Sequence, residues 1–106
     1  MIGDLAGQVV LITGASTGIG AAAARAFGAN RAKVAVHYNA SREPAEQVAA
    51  DIRAAGGEAI TVQGDVTSSD ACRAIVEQTV AHFGRLDVLI NNAGGLVQRV
   101  PVEQLT

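Results

Sequence analysis

The residues best suited to chemistry form a glycine-rich segment, Thr-Gly-Ala-Ser-Thr-Gly-Ile-Gly, at residues 13–20. This segment directly follows an apolar run at residues 8–12 and leads into an alanine-rich stretch. Glycines allow the backbone to approach a pyrophosphate closely, and a helix that begins there offers free N–H groups and the positive end of its dipole. The sequence therefore predicts a phosphate-binding turn between a buried strand and a helix.

The elements that must position this turn alternate between strands and helices. Continuous apolar runs predict strands that are buried on both faces, and apolar residues at helical spacing predict helices. The predicted strands cover residues 8–13, 33–38, 59–63 and 86–91, the predicted helices cover residues 19–28, 44–55 and 69–83, and residues 96–106 are predicted to be loop. Repeated strand–helix–strand units imply an α/β fold with a doubly wound parallel sheet, its first two helices on one face and the third on the other.

Three segments meet at one edge of this predicted sheet. Ligands of open parallel sheets bind outside the carboxyl ends of the strands, near the point where the strand order reverses. Residues 14–20, residues 38–42, and Asp65 together with residues 91–94 all fall at that edge. Their convergence predicts one binding site, which the glycine-rich turn alone would not establish.

Length, charge and cysteine usage exclude several other classes of protein. The 106 residues make one domain at most, and a net charge of −2 does not suggest nucleic acid or an anionic membrane as a partner. The single cysteine excludes an intrachain disulfide framework and a cysteine-based metal site. No apolar run approaches membrane-spanning length, and the N-terminus lacks a signal-peptide pattern. We therefore expect a soluble, cytoplasmic protein without a metal site.

The third predicted helix carries the clearest boundary signals. Thr67, with Asp70 three residues later, predicts a capping box, and Gly84 predicts the end of the helix. Cys72 belongs to an apolar stripe on this helix, which favours a small buried side chain over a reactive thiol.

The two histidines are expected to have no catalytic role. His37 belongs to the second predicted strand and His82 to a helix surface, so each is expected to be structural or solvated.

Three motifs, in order, resemble the short-chain dehydrogenase/reductase family. They are a Thr-Gly-x-x-x-Gly-x-Gly turn at residues 13–20, an Asp-Val pair at Asp65 and Val66 after the third strand, and Asn-Asn-Ala-Gly at residues 91–94 after the fourth. The chain is most similar to members of the 3-oxoacyl-carrier-protein reductase type. The resemblance implies a Rossmann-type fold of about four strands in the order 3-2-1-4 with three helices. It also implies hydride transfer between a nicotinamide cofactor and a carbonyl or alcohol.

The resemblance implies a role for each residue of the glycine-rich turn. Gly14 makes the tight turn, and Ser16 and Thr17 face the adenosine ribose and its phosphate. The residues that approach the pyrophosphate are Gly18, Ile19 and Gly20.

The resemblance also implies roles for the residues after the third and fourth strands. Asp65 accepts a hydrogen bond from the adenine amino group, Val66 packs near the base, and Asn91 mainly braces the sheet. The residues that line the ribose side of the cofactor are Asn92, Ala93 and Gly94.

The end of the second predicted strand indicates which cofactor is preferred. A carboxylate there would accept hydrogen bonds from both ribose hydroxyls of NAD and repel a 2′-phosphate. This chain instead has Tyr38 and Asn39, followed by Ser41 and Arg42, whose hydroxyl, amide and guanidinium groups suit a phosphate. NADP is therefore expected, with NAD left open because Thr17 stands where many NADP-preferring relatives carry Arg or Lys.

One position departs from the family's usual pattern. Arg31 occupies the place where relatives usually have glycine at the end of the first helix. Because asparagine tolerates the left-handed conformation better than arginine, we expect the helix cap to shift to Asn30.

The family's catalytic residues are absent from the sequence. The resemblance implies a serine, and a tyrosine and lysine spaced Tyr-x-x-x-Lys, in which the tyrosine acts as general acid and base and the lysine lowers its pKa. The single tyrosine is Tyr38 at the adenosine end, and the residue four positions later is Arg42. These residues alone are thus expected to bind a cofactor without catalysing the family's reaction.

We interpret residues 1–106 as a partial NAD(P)-binding Rossmann domain of a longer single-domain oxidoreductase. The whole protein would act on a small carbonyl or alcohol substrate, and the chain would form a homo-oligomer or need a missing C-terminal half. The alternative is a nucleotide-binding or interaction module with no redox turnover of its own. A downstream Tyr-x-x-x-Lys in the reading frame would favour the first hypothesis.

Overall fold

A computed structural model describes residues 6–16, 18–92 and 98–101 of the chain. The strands are β1 (Val9–Ile12), β2 (Lys33–Tyr38), β3 (Glu58–Gln63), β4 (Val88–Asn91) and β5 (Gln98–Pro101). The helices are α1 (Gly18–Ala29), α2 (Arg42–Ala54) and α3 (Ser69–Phe83). None of the helices in these ranges is long and apolar enough to span a membrane.

The strands form one sheet in the order β3-β2-β1-β4-β5. The first four are parallel, with Leu11 of β1 aligned with Ala35 of β2 and with Leu89 of β4. The strand order reverses between β1 and β4, which confirms the predicted doubly wound 3-2-1-4 sheet with three helices. The carboxyl ends of β1, β2 and β4 therefore meet at one edge.

The prediction of loop for residues 96–106 is wrong at residues 98–101. These residues form β5, which pairs antiparallel with β4 and places Gln98 opposite Asn91. Pro101 is an unusual residue for a strand, because proline cannot donate to a sheet ladder. The pairing tolerates it because β5 is at the end of the sheet, where one side of the strand needs no partner. The remaining residues of this segment lie outside the described part of the chain.

Each face of the sheet carries its own apolar core, as predicted from the element order. Burying one Val, Leu or Ile side chain stabilises the fold by about 1.5–3 kcal/mol. Alternate residues of a strand point to opposite faces, so the four buried residues of β1 contribute to both cores. The core beneath α1 and α2 includes Val10, Ile12, Val34, Val36, Ala24, Val48 and Ile52. The core beneath α3 includes Val9, Leu11, Ala35, Val62 and Ile75.

The N-terminus of α3 differs by one residue from its predicted cap. Ser68 is the N-cap residue, and its hydroxyl accepts a hydrogen bond of 3.3 Å from the Ala71 N–H. Thr67 was expected in this position, but its hydroxyl instead donates to Asp65. The predicted end of the helix is confirmed, because Gly84 takes the left-handed conformation with a φ of 86°.

The turn after α1 also differs from its prediction. Arg31 itself has a positive φ of 67°, so the left-handed residue is not Asn30. The Asn30 side chain donates a hydrogen bond of 2.9 Å to the carbonyl oxygen of Ala26. This contact holds Asn30 in the last turn of α1, and the left-handed conformation falls on the next residue, Arg31.

Candidate functional site

A cleft of about 620 Å³ lies at the carboxyl ends of the strands, where the sequence predicted a binding site. It draws residues from the turn after β1, the end of β2, the segment after β3 and the end of β4. The residues that line it are Gly14, Ser16, Ile19, His37, Asn39, Ala40, Ser41, Asp65, Val66, Thr67 and Asn92. The structure thus brings together the three segments that the sequence placed at this edge.

The glycine-rich turn is fastened to the two strands beside β1. The Thr13 N–H donates to the Ile90 carbonyl of β4 at 3.0 Å, and the Ala15 N–H donates to the His37 carbonyl of β2 at 2.9 Å. Gly14 and Gly18 both have a φ of 62°, a conformation that favours glycine. The described part of the turn before α1 is therefore fixed against both neighbouring strands.

Gly20 packs α1 against the turn at a distance that excludes any side chain. A Cβ at this position would overlap the Gly14 carbonyl oxygen and lie 2.5 Å from the Asn92 Nδ2 atom. The first turn of α1 can therefore pack directly against the glycine-rich turn that precedes it. Ile19, in contrast, is 67% exposed and borders the cleft.

Asn92 joins β4 to the glycine-rich turn. Its backbone N–H donates to the Thr13 hydroxyl at 2.9 Å, and its side-chain amide donates to the Gly14 carbonyl at 3.1 Å. Asn91 is 3.1 Å from the Thr13 hydroxyl through its Oδ1 atom. Both asparagines thus brace the turn, and of the two it is Asn92 that lines the cleft.

Four polar residues lie at the end of β2 or just after it, and two of them, Asn39 and Ser41, line the cleft. The Ser41 hydroxyl makes no capping hydrogen bond with α2. Tyr38 is half-buried against the core beneath α1 and α2.

Arg42 is exposed on α2, outside the lining of the cleft. Its Nε atom lies 4.0 Å from a carboxyl oxygen of Glu46. That carboxyl group also accepts a hydrogen bond of 3.0 Å from the Thr61 hydroxyl, which fixes its position. The guanidinium group is therefore paired along its own helix.

Asp65 presents an ionised carboxylate to the cleft. One carboxyl oxygen accepts hydrogen bonds from the Thr67 hydroxyl at 2.6 Å and from the Thr67 N–H at 2.9 Å. These two bonds, the hydroxyl's being the stronger influence, lower the pKa of Asp65 below its ordinary value. Asp65 is therefore available as a hydrogen-bond acceptor at neutral pH.

Three residues of the cleft wall were not among the predicted site residues. Ala40 lies inside the predicted segment 38–42 and Thr67 directly follows Val66, so their positions alone could have indicated them. The third is His37, whose structural role was expected and is confirmed by hydrogen bonds from its ring to backbone groups. Its position immediately before Tyr38 was the available signal. Thr17, Ala93 and Gly94 lie outside the described residues.

A second, smaller groove of about 320 Å³ lies on the α3 side of the sheet. Its wall is mainly apolar and includes Leu11, Ile75, Val76 and Leu89. Cys72 lines it and is half-buried, with its thiol 3.2 Å from the Val66 carbonyl. The expected burial of Cys72 is therefore only partial.

The family model described as short chain dehydrogenase matches residues 8–106. The chain belongs to the short-chain dehydrogenase family. The glycine-rich turn, Asp65 and Asn92, which the structure gathers in the cleft, are the motifs on which the resemblance rested.

Individual members of the short-chain dehydrogenase family are similar over most of this chain. An uncharacterised oxidoreductase of Methylorubrum extorquens is 47% identical over 102 residues, which are 96% of this chain and 41% of the relative. The 3-oxoacyl-[acyl-carrier-protein] reductase of Synechocystis is 49% identical over 90 residues, which are 85% of this chain and 36% of the relative. The latter agrees with the predicted similarity to that type of reductase.

Solved structures show the same fold. A dehydrogenase from Burkholderia cenocepacia, determined with bound NADP, is 43% identical and superposes with a TM-score of 0.79 over 82% of this chain and 34% of its own. The chain thus spans between about a third and two fifths of the length of these relatives.

Proposed function

We propose that this chain binds NADP(H) in the cleft at the carboxyl ends of its strands and is the cofactor-binding part of a short-chain oxidoreductase. The observation that carries the proposal is the convergence of the glycine-rich turn, Asp65 and the acid-free end of β2 on one cleft. The whole protein would be cytoplasmic and would transfer hydride between nicotinamide and a small carbonyl or alcohol substrate. It would act as a homo-oligomer or together with further chain outside these residues.

The cleft fits a dinucleotide phosphate in two respects. The turn into α1 is built from glycines, and the first turn of α1 carries no acidic residue that would repel a pyrophosphate. The helix start supplies N–H donors and a positive dipole end. The proposed pyrophosphate contacts are Gly18, Ile19 and Gly20, with Gly14 making the tight turn and Ser16 and Thr17 on the adenosine ribose and its phosphate.

The remaining walls suit the other parts of the cofactor. The ionised Asp65 accepts from the adenine amino group and the half-buried Val66 packs beside the base. Asn92, Ala93 and Gly94 are proposed to line the ribose side. When bound, the cofactor supplies the hydride, while these residues orient it.

The end of β2 is proposed to select NADP over NAD. Asn39 and Ser41 border the cleft without a carboxylate that would repel a 2′-phosphate. Arg42 and Tyr38 belong to the same segment, and Arg42 reaches a bound phosphate by exchanging its exposed contact with Glu46, a pair that contributes little in solvent.

The preference for NADP and the adenine contact of Asp65 can be tested separately by the same kind of fluorescence titration. We expect NADPH to bind with a lower dissociation constant than NADH, measured by quenching of nicotinamide fluorescence, and Asp65→Ala to weaken both by about five- to tenfold. Equal binding of the two nucleotides would contradict the specificity. Unchanged affinity in Asp65→Ala would contradict the adenine contact. We expect no turnover, because the Tyr-x-x-x-Lys pattern is absent from the chain.

A further inference from the structure

The ring of His37 is held at both nitrogens by backbone groups from two different segments, the turn after β1 and the segment after β3. The Gly14 N–H donates to its Nδ1 atom at 2.9 Å, and its Nε2 atom lies 2.6 Å from the Gly64 carbonyl oxygen. The ring is 1% exposed, so water does not replace either partner.

These two contacts define the protonation state of the ring. The Gly14 N–H needs an acceptor at Nδ1, and the Gly64 carbonyl needs a donor at Nε2. Only the neutral imidazole with its proton on Nε2 satisfies both. A second proton would place an N–H group at Nδ1 against the Gly14 N–H, and the hydrogen bond would be lost.

The same residue joins the two parts of the proposed cofactor site. Gly14 is the first glycine of the turn, and Gly64 immediately precedes Asp65. The backbone adds to this connection, because the Ala15 N–H donates to the His37 carbonyl and the Gly64 N–H donates to the Tyr38 carbonyl. The position of the turn relative to Asp65 therefore depends on this ring.

We infer that His37 is a positioning residue for cofactor binding, because its neutral ring fixes the Gly14 end of the phosphate-binding turn relative to Asp65. Cofactor affinity therefore depends on a side chain at position 37 that can accept from the Gly14 N–H and donate to the Gly64 carbonyl. This inference rests on the proposed function of the cleft.

The ionisable groups near His37 leave both ring nitrogens to these backbone partners. β1 contributes only apolar residues, Val9–Ile12, and Tyr38, the neighbour on β2, packs against the opposite core. Asp65, after β3, uses a carboxyl oxygen for the hydroxyl and the N–H of Thr67. On the side of α3, Cys72 directs its thiol to the Val66 carbonyl, and Asp70 is exposed in the first turn of the helix.

The experiment measures NADPH and NADH affinity at pH 8 in the wild type and three variants. In His37→Asn the side-chain oxygen can accept from Gly14 and the amide can donate to Gly64, whereas His37→Leu offers neither group. The chain has two histidines, so the exposed His82 on α3 provides the control variant, His82→Leu.

We expect His37→Leu to lose nucleotide affinity by about tenfold, the size of effect that one buried unsatisfied donor produces. His37→Asn is expected to recover most of this loss, and His82→Leu is expected to bind within about twofold of the wild type. Circular dichroism verifies that the compared variants are folded.

Three results would overturn the inference. They are wild-type affinity in His37→Leu, no recovery of affinity in His37→Asn, and a loss in His82→Leu as large as the loss in His37→Leu. A wild type that binds neither nucleotide at pH 8 would instead overturn the proposed function, and the inference with it. Nitrogen-15 NMR of the His37 ring needs no variant: the neutral form must carry its proton on Nε2, and a proton on Nδ1 would contradict the account.

Discussion

Single side chains at the end of β2 determine the charge of the cleft wall that a 2′-phosphate would meet. Asn39 and Ser41 border the cleft, whereas the Arg42 guanidinium group pairs with Glu46 on the exposed surface of α2. At this scale the proposed preference for NADP depends more on the absence of a carboxylate than on a preformed cationic contact. One added charge at Asn39 should therefore reverse it.

Asn39→Asp is expected to weaken NADPH binding by about tenfold or more and to leave NADH binding equal or stronger. The new carboxylate repels the 2′-phosphate but can accept from the ribose hydroxyls of NADH. Gln78→Glu is the matched control, because it adds the same charge on the exposed surface of α3, away from the cleft. Fluorescence titrations with both nucleotides measure the effect, and an equal loss for both would contradict the account.

The position of a single residue could be predicted where a sequence motif fixes it, but not where contacts with neighbouring residues decide between two suitable side chains. The glycine pattern and the Asp65 and Asn92 positions could be predicted because they follow strand ends directly. The cap of α3 could not, because Thr67 and Ser68 are both suitable and the contact between Thr67 and Asp65 decides between them.

Among the elements, the alignment of β4 with β1 depends on one carboxylate at the start of the pair. Asp87 accepts a hydrogen bond of 2.8 Å from the buried Val9 N–H, and its own N–H donates to the Val9 carbonyl at 2.9 Å. Burial acts to raise the pKa of Asp87, but hydrogen bonds from Arg85 and Val9 outweigh it and lower the pKa. The ionised carboxylate therefore stabilises the fold.

Asp87→Ala is expected to reduce the free energy of unfolding by about 1–3 kcal/mol, because it leaves the Val9 N–H without its acceptor. Arg85→Ala, which removes only the exposed partner and leaves the Val9 N–H with its acceptor, is expected to cost clearly less. Urea unfolding of both variants measures the difference.

The contribution of Asp87 also has a defined pH dependence. Because the folded-state pKa is lowered, the contribution is present above the ordinary value of 3.8 and is lost as the pH falls through the lowered one. Equal costs for Asp87→Ala and Arg85→Ala at neutral pH would contradict this role.

The turn between α1 and β2 holds Arg31 in a conformation that disfavours side chains. Its φ of 67° costs about 1–2 kcal/mol for a residue other than glycine. Arg31→Gly is therefore expected to stabilise the fold by about 0.5–1 kcal/mol, after allowance for the greater freedom of glycine in the unfolded chain. Thermal unfolding measures the gain. Asn30→Gly is the control and is expected to lower the melting temperature, since it removes the contact with Ala26; a lower melting temperature for Arg31→Gly would contradict the account.

For the whole molecule, the sequence predicted the parallel part of the sheet and the edge that carries the site. Long apolar runs and glycine-bounded helices leave few alternatives for β1 to β4, and parallel connections place their carboxyl ends together. β5 could not be predicted, because it is a short edge strand containing Pro101, and its pairing with β4 is tertiary. A structural role for His37 was expected, but its two partners could not be predicted, since Gly14 and Gly64 meet its ring only in the folded chain.

The central claim is that a nicotinamide dinucleotide binds at the carboxyl edge of the sheet. NMR of the nitrogen-15-labelled chain titrated with NADPH tests it most directly. We predict saturable shifts of the amides that border the cleft, including Gly14, Asn39 and Asp65, with little change at Phe83 near the end of α3. Absence of shifts, or shifts concentrated in the apolar groove around Ile75 and Leu89 instead, would contradict the account.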